Sequence, residues 1–397
     1  MNKILQLIGK KDIYFILLLI LFAMIFRIPF MPDNIEFNND APIYSDNIQR
    51  NCFDGNYDVQ LPGYVSYIYL GRIINNFVHD AVLIQHIING LLIVLITIFF
   101  YYLLKLLEFS LIDIFIYSLL FSYNSIMLLG SITGGNRMFL VLTSILLIFL
   151  SVKIIRSKDK SLLILFGFIL AFFTGFRQDL SFYFIPLYIY LIFVVKDIRI
   201  ILLSIFLFTV TCLTWFIPLI AEYGGVVRYI RLTLGSEAIY NTSLIFAEEK
   251  ISPILNIFRV FIYIFYAFIL TVFFFIVSFF KKKIKIQKDL LIVILLSTMP
   301  ALLFQLLVHN GNYVHLATVI TPLFIVFVYN YRNDSTKKII ISIVIILLLL
   351  SQFYFVKMFK GDTLCKRTAN VLFLQYSYDG VKGGETYRLK TIKEEIK

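Results

Sequence analysis

The residues best able to do chemistry are gathered unevenly. Segment 33–79 carries Asp33, Glu36, Asp40, Asp46, Asp54 and Asp58 against only Arg50 and Arg72. Elsewhere the conspicuous charges stand at the edges of apolar blocks: Arg27, Arg137 in Gly135-Asn136-Arg137, Arg177 and Asp179 in Gly175–Asp179, and His309. A second polar segment, 222–252, mixes Glu222, Glu237, Glu248 and Glu249 with Arg228, Arg231 and Lys250. A carboxylate can take the proton from an attacking hydroxyl, a role typically worth about 10²–10⁴-fold in rate. Arginine forks bind phosphate and stabilise it as it leaves. Together they suit transfer of a group from a lipid phosphate, one of several chemistries open at this point.

The elements that must position these groups are apolar. Of the 397 residues, 60% are hydrophobic and only 15% charged, where a soluble domain carries about 25% charged residues. The excess falls in uncharged blocks such as Ile13–Phe26, Leu91–Leu104, Leu162–Phe176 and Ile339–Phe355. About 20 apolar residues cross a bilayer core, so a soluble enzyme is excluded. An outer-membrane barrel is excluded too, because its strands alternate polar and apolar residues. The spacing predicts an all-α integral membrane protein of about eleven spans, near 12–32, 80–104, 110–130, 136–154, 161–176, 180–195, 198–221, 253–280, 289–308, 313–330 and 337–356. The first block follows Lys10 and Lys11 and lacks an A-x-A-like cleavage site, so it reads as a retained anchor.

The net charge of +12 does not point to nucleic acid, because the basic residues sit in short runs between blocks, as in Lys153–Lys160 and Lys281–Lys288. That is an insertion signal. With the N-terminus inside, segments 1–11, 105–109, 155–160, 196–197, 281–288 and 331–336 are cytoplasmic. Together with adjoining span ends they hold half of the 36 Lys and Arg residues. Segments 33–79 and 222–252 then form two large outer loops on a transmembrane domain of residues 1–356. Odd parity puts the tail, 357–397, outside as well, although its own basic charge pulls the other way. In that tail Val371–Tyr378 and Thr386–Ile392 flank two Gly-containing turns and suggest a small hairpin. Within the first outer loop, residues 62–77 read as an amphipathic helix with Tyr64, Ile68, Gly71 and Ile74 on one face and Arg72 elsewhere. Such a helix either lies in the membrane interface or packs on the spans. No repeat of fixed period is visible, which disfavours a repeat-built transporter.

Short motifs recur in order along the chain: Asp40-Ala41-Pro42-Ile43-Tyr44, Leu61-Pro62-Gly63-Tyr64, Gly175-Phe176-Arg177, Pro186-Leu187, Trp215-Phe216-Ile217-Pro218, Gly224-Gly225 with Tyr229, Tyr313-Val314-His315 and Thr321-Pro322-Leu323. Over roughly residues 12–330 this resembles the GT-C superfamily of polytopic membrane glycosyltransferases. The likeness is to its bacterial branch of protein O-mannosyltransferases and aminoarabinose transferases. The resemblance implies an inverting transferase that takes a sugar from a polyprenyl-phosphate donor to a hydroxyl acceptor on a lipid, glycan or protein. It would work at the outer face of the cytoplasmic membrane. In that family an Asp of the first outer loop, often in D-E-x-x-Y, is the catalytic carboxylate, and Asp40 with Tyr44 occupies that pattern. Ala41 stands in place of the usual second acidic residue, Gln60-Leu61 precedes the P-G-Y, and Asn312 precedes Tyr313.

On this reading Asp40 is the catalytic base, and Asp46 and Asp58 are candidate second carboxylates. Arg177 and Arg137, with Arg228, Arg231 and Lys250, are candidates for the donor phosphate. Tyr44, Tyr64, His309 and His315 are candidate donor or acceptor contacts. No cofactor is required; a divalent cation could sit by the acidic loop, since hard ions take oxygen ligands, but no strong ligand spacing demands one. Cys52 and Cys365 would both lie outside and could pair, and Asn241-Thr242-Ser243 matches a glycosylation sequon. Trp215 reads as an interface anchor. Three alternatives stay open: a polymerase or ligase of envelope polysaccharide, which would favour a large, late outer loop rich in Arg and His; a lipid-linked oligosaccharide flippase or other transporter, which would line its midplane with polar residues; and a scaffold or sensor without catalysis.

Overall fold

In the computed structural model, the described residues are 10–25, 27, 41–50, 63–124, 127, 130–131, 134–234, 286–308 and 316–330, with scattered positions between 254 and 264. Among them every regular element is helical: α1 Lys10–Ile25, α2 Ala41–Gln49, α3 Val65–Val78, α4 Ala81–Leu106, α5 Leu111–Ser122, α6 Met138–Ser157, α7 Leu162–Thr174, α8 Asp179–Val195, α9 Ile198–Glu222, α10 Val226–Leu234, α11 Lys288–Leu303 and α12 Ala317–Asn330. A π-turn, Phe304–Val308, extends α11. Four helices (α4, α6, α9, and α11 with its π-turn) are long and apolar enough to cross a bilayer, and α1, α5, α7, α8 and α12 are shorter apolar helices. The chain is thus an α-helical membrane protein. These nine fall where the spacing places spans. Most of the expected span 253–280 and all of 337–356 lie outside the described residues, as do the tail hairpin, Cys52, Cys365 and the sequon.

Local chemistry sets the helix ends. Asp80 caps α4, its Oδ1 accepting from the backbone N–H of Val82 and of Leu83 at 3.0 Å each, the pairing that satisfies orphan donors of a first turn. Ser110 accepts from the Asp113 N–H at 3.2 Å and donates its hydroxyl to Asp113 Oδ2 at 2.8 Å, a reciprocal closure of the start of α5. Lys158 and Lys196 end α6 and α8 in the left-handed conformation.

Helix α6 is the centre of the bundle. It packs on α4, α7, α8, α11 and α12, and 83% of its apolar window is buried, as expected of a helix that is hydrophobic all round. Helix α9 is the opposite case. Only 11% of its window is buried, and it presents Leu202, Phe206, Val210, Leu213 and Ile217 outward. It leans on α7, where Gly167 leaves room for Ser204: a Cβ at Gly167 would stand 2.7 Å from Ser204 Oγ. That hydroxyl bonds Leu163 O at 2.8 Å and Tyr188 Oη at 2.6 Å. Small residues at such a crossing let backbones meet and polar groups bond between helices.

The helix directions sort the loops into two ends. At one end Asp12 of α1 accepts from the Tyr101 hydroxyl at 2.6 Å and from Lys105 Nζ at 2.7 Å. There too Arg156 donates to Leu106 O at 2.6 Å and to Gln287 Oε1 at 3.2 Å, and Lys160 pairs with Asp197 at 3.8 Å. Loops 105–109, 155–160 and 196–197 therefore meet. The other end collects the starts of α4, α6 and α8 and the ends of α7 and α9. Helices α2 and α3 close over it, against α4 and α9. The amphipathic stretch forms α3, which buries Val65, Tyr67, Ile68 and Gly71 on the bundle and turns Ile73 and Phe77 outward. Arg72, expected away from the packed face, lies within it, because its Nε donates to Asn47 O on α2 at 2.8 Å.

Candidate functional site

The end that collects α6, α7 and α8 is built around Arg177. The guanidinium sits in the elbow between α7 and α8, with a side chain 3% exposed. Three partners surround it. Asp179 takes Nε at 3.2 Å on Oδ1 and Nη2 at 2.7 Å on Oδ2, the two-pronged pairing of a guanidinium with a carboxylate. Asn136 Oδ1, just before α6, accepts from Nη1 at 3.1 Å. The Tyr64 ring lies beneath, 4.9 Å from the guanidinium carbon, a cation–π contact. Burial pulls the Arg177 guanidinium down, but the Asp179 carboxylate and its hydrogen bonds outweigh burial and hold it well above its ordinary value. It is a permanent cation.

The surrounding backbone is tied down by amides. Asn136 Nδ2 donates to Phe176 O at 2.9 Å, so one side chain fixes both the Arg177 fork and the elbow before it. Gln178 Nε2 donates to Gly63 O at 2.8 Å, and Gln178 Oε1 accepts from the Tyr229 hydroxyl of α10 at 3.2 Å; burial pushes that phenol's pKa up. The Ser66 N–H reaches Gly175 O at 3.3 Å. Gly175 is required there, since a Cβ would strike the Ser66 hydroxyl and stand 2.8 Å from Trp215 Cδ1. Trp215 in turn donates its indole N–H to Ala171 O at 3.0 Å, which ties α9 to the last turn of α7.

A second polar group joins α2 to the same end. Gln85 Nε2 donates to Ala41 O at 3.0 Å and to Ser45 Oγ at 2.8 Å, while the Tyr67 hydroxyl donates to Gln85 Oε1 at 3.3 Å. Tyr44 is buried and edge-on to Tyr64 at 6.0 Å and to Tyr67 at 5.2 Å. An aromatic run therefore leads from α2 to the face of Arg177.

Of the sequence-predicted residues, the structure brings together Arg177, Tyr44 and Tyr64. Arg137 is half-buried at the start of α6, beside Asn136. Arg228 and Arg231 are exposed on α10, whose Tyr229 docks on Gln178. Asp46 is exposed and paired with Arg50 at 2.6 Å. Asp40, Asp58, Lys250, His309 and His315 lie outside the described residues. Among the described residues no group of His, Cys, Asp or Glu could hold a metal ion. Sequence reasoning missed Asn136, Gln178, Gln85 and the pairing role of Asp179. The signal for two of them was local, since Asn136 adjoins Arg137 and Asp179 lies two residues from Arg177. No protein-family model, curated protein or solved structure matches this chain.

Proposed function

We propose that the protein is a GT-C-like glycosyltransferase of about eleven spans that moves a sugar from a polyprenyl-phosphate donor to a hydroxyl acceptor. It works with inverting chemistry at the outer face of the cytoplasmic membrane, with its N-terminus inside. The observation that carries this reading is a permanent arginine cation buried at a helix-end site, at the end where Ala41 is pinned by Gln85. Asp40, the residue the family pattern marks as the base, directly precedes Ala41 in the sequence. Asp40 acts as base on the acceptor hydroxyl, and Arg177 with Arg137 holds the donor phosphate. The lipid-facing surfaces of the bundle carry the isoprenoid chain. A divalent cation is an optional addition at the acidic loop.

Charge placement supports a surface site over a path through the bilayer. In the described spanning helices the charged residues lie near helix ends, as Lys105, Arg156, Asp179, Arg199 and Lys288 do. The buried hydroxyls of Thr97, Ser144, Ser151 and Thr321 are spent on carbonyls of their own helices. The test is loss of sugar from candidate polyprenyl-phosphate sugars by purified protein in lipid, wild type against Asp40→Asn. Turnover that disappears in the folded variant supports the transferase and its base. Full turnover in the variant refutes the base, and absence of any polyprenyl-phosphate binding refutes the family reading.

A further inference from the structure

The Arg177 fork is filled, and what fills it is uneven. Asn136 and Tyr64 hold the guanidinium from positions that are themselves packed: Asn136 is 1% exposed and tied to Phe176. Asp179 is different. Its side chain is 19% exposed, and it occupies the first turn of α8, so the carboxylate stands between the guanidinium and water. One further donor points to something other than the carboxylate. Tyr183 lies one helical turn after Asp179, on the same face of α8. It is 1% exposed, and its hydroxyl closes no hydrogen bond of normal geometry. It stands within electrostatic reach of both Asp179 and Arg177, and the Gln305 side chain approaches it without completing a well-formed bond. Gln305 belongs to the π-turn that ends α11, a local irregularity that often marks functional positions. Asn256 Nδ2 donates to Gln305 O at 2.8 Å and Leu306 O at 3.2 Å, so the carbonyls of that turn are satisfied. A buried hydroxyl left unpaired is costly, and one beside a guanidinium is a donor in waiting.

The geometry points to an oxyanion site in which Asp179 holds the place of a phosphate: a phosphate group takes the two Arg177 nitrogens that the carboxylate now occupies, and the Tyr183 hydroxyl donates to it. Asp179 then turns outward to water. Carboxylate and phosphate oxygens both match the planar fork, so exchange keeps the Asn136 and Tyr64 contacts in place. The first turn of a helix also favours an anion, whichever one is present. With Asp179 in the fork the pair is neutral and closed to anions. With phosphate in the fork, the released carboxylate repels a second anion. This rests on the proposed transferase reading for its ligand, the phosphate of an isoprenoid carrier, and adds Asp179 as competitor and Tyr183 as donor.

The test uses full-length protein in phosphatidylcholine nanodiscs, with farnesyl phosphate and inorganic phosphate as probes, reading affinity by calorimetry and melting temperature with and without probe. Tyr183→Phe loses about tenfold in farnesyl phosphate affinity, the worth of one hydrogen bond to a charged group. It melts no lower than wild type without ligand, because its hydroxyl closes no well-formed hydrogen bond that could be lost. Asp179→Asn does the reverse: it binds several-fold tighter, melts lower when empty, and regains that loss as probe is added. Inorganic phosphate matching farnesyl phosphate would overturn the lipid source. Unchanged affinity in Tyr183→Phe, or weaker binding in a folded Asp179→Asn, would overturn the exchange. Failure of these signatures with donor turnover intact strikes this inference alone; the signatures without turnover of any polyprenyl-phosphate sugar strike the transferase reading alone.

Discussion

Replacing the members of the Arg177–Asp179 pair one at a time and together separates a charge pair from mere packing. Arg177→Met leaves the Asp179 carboxylate, 19% exposed, without its two donors. Removing one partner of a buried pair typically costs about 3–5 kcal/mol. The Tyr64 ring also loses its cation, worth about 0.5–2 kcal/mol. Asp179→Leu strands a guanidinium whose side chain is 3% exposed, at a similar cost. If the two losses were independent, the double variant would fall by about 6–10 kcal/mol, comparable to the whole stability of many proteins at about 5–15 kcal/mol. The expectation is otherwise, because an apolar pair in place of a buried ion pair is often close to neutral. The double variant then loses only what Asn136 and Tyr64 contributed, about 1–3 kcal/mol. The coupling is therefore about 3 kcal/mol or more, at the top of the range for contacting residues. Equilibrium unfolding in mixed detergent micelles, followed by circular dichroism, measures all four corners. Additivity to within about 0.5 kcal/mol would refute the reasoning.

Two other perturbations probe what holds the site. Gln85→Leu removes the amide that joins Ala41 O, Ser45 Oγ and the Tyr67 hydroxyl; with the Tyr67 donor stranded at a cost of about 1–3 kcal/mol, unfolding should show a loss of that size, and wild-type stability would mean α2 is held otherwise. Gly175→Ala drives a methyl into Ser66 and Trp215, an overpacking that costs about 1–3 kcal/mol and should be partly relieved by Trp215→Leu, as melting temperatures of the single and double variants would report.

The spans were legible because a bilayer demands one thing of a chain, a run of apolar residues, and the expected spans at α4, α6, α7, α8 and α9 begin and end within a few residues of the observed helices. The amphipathic stretch was legible as a helix, but Arg72 was misplaced on it. Period alone assigns an arginine to the polar side, and only the position of Asn47 O shows that the packed face has a use for it. Arg177 could be singled out by its place at a span edge. Its partners could not, because Asn136 is 41 positions away and meets it only once α6 and α7 are antiparallel. Gln85 is hidden for the same reason: an amide in an apolar run reads as a blemish until Ala41 and Ser45 arrive from 44 and 40 residues earlier.

Among the described residues, the two most deeply buried arginines at this end make opposite uses of the same side chain. Arg27 donates Nε to Ser131 Oγ at 2.6 Å, Nη2 to Ser122 O at 2.6 Å, and Nη1 to Ala23 O. Ala23 and Ser122 lie in the last turns of α1 and α5, so the negative ends of two helix dipoles balance the charge. Those carbonyls belong to the backbone and cannot leave. An arginine held this way is a staple, because the carbonyls that neutralise it yield only if a helix end unwinds. Arg177 is held differently: its charge is balanced by one side-chain carboxylate with a path to water. If the fold needed only a neutralised guanidinium in the elbow, the Arg27 solution would serve and would be more durable. A carboxylate that can swing away is the arrangement that keeps the fork closed when empty and available when an anion of matching geometry arrives.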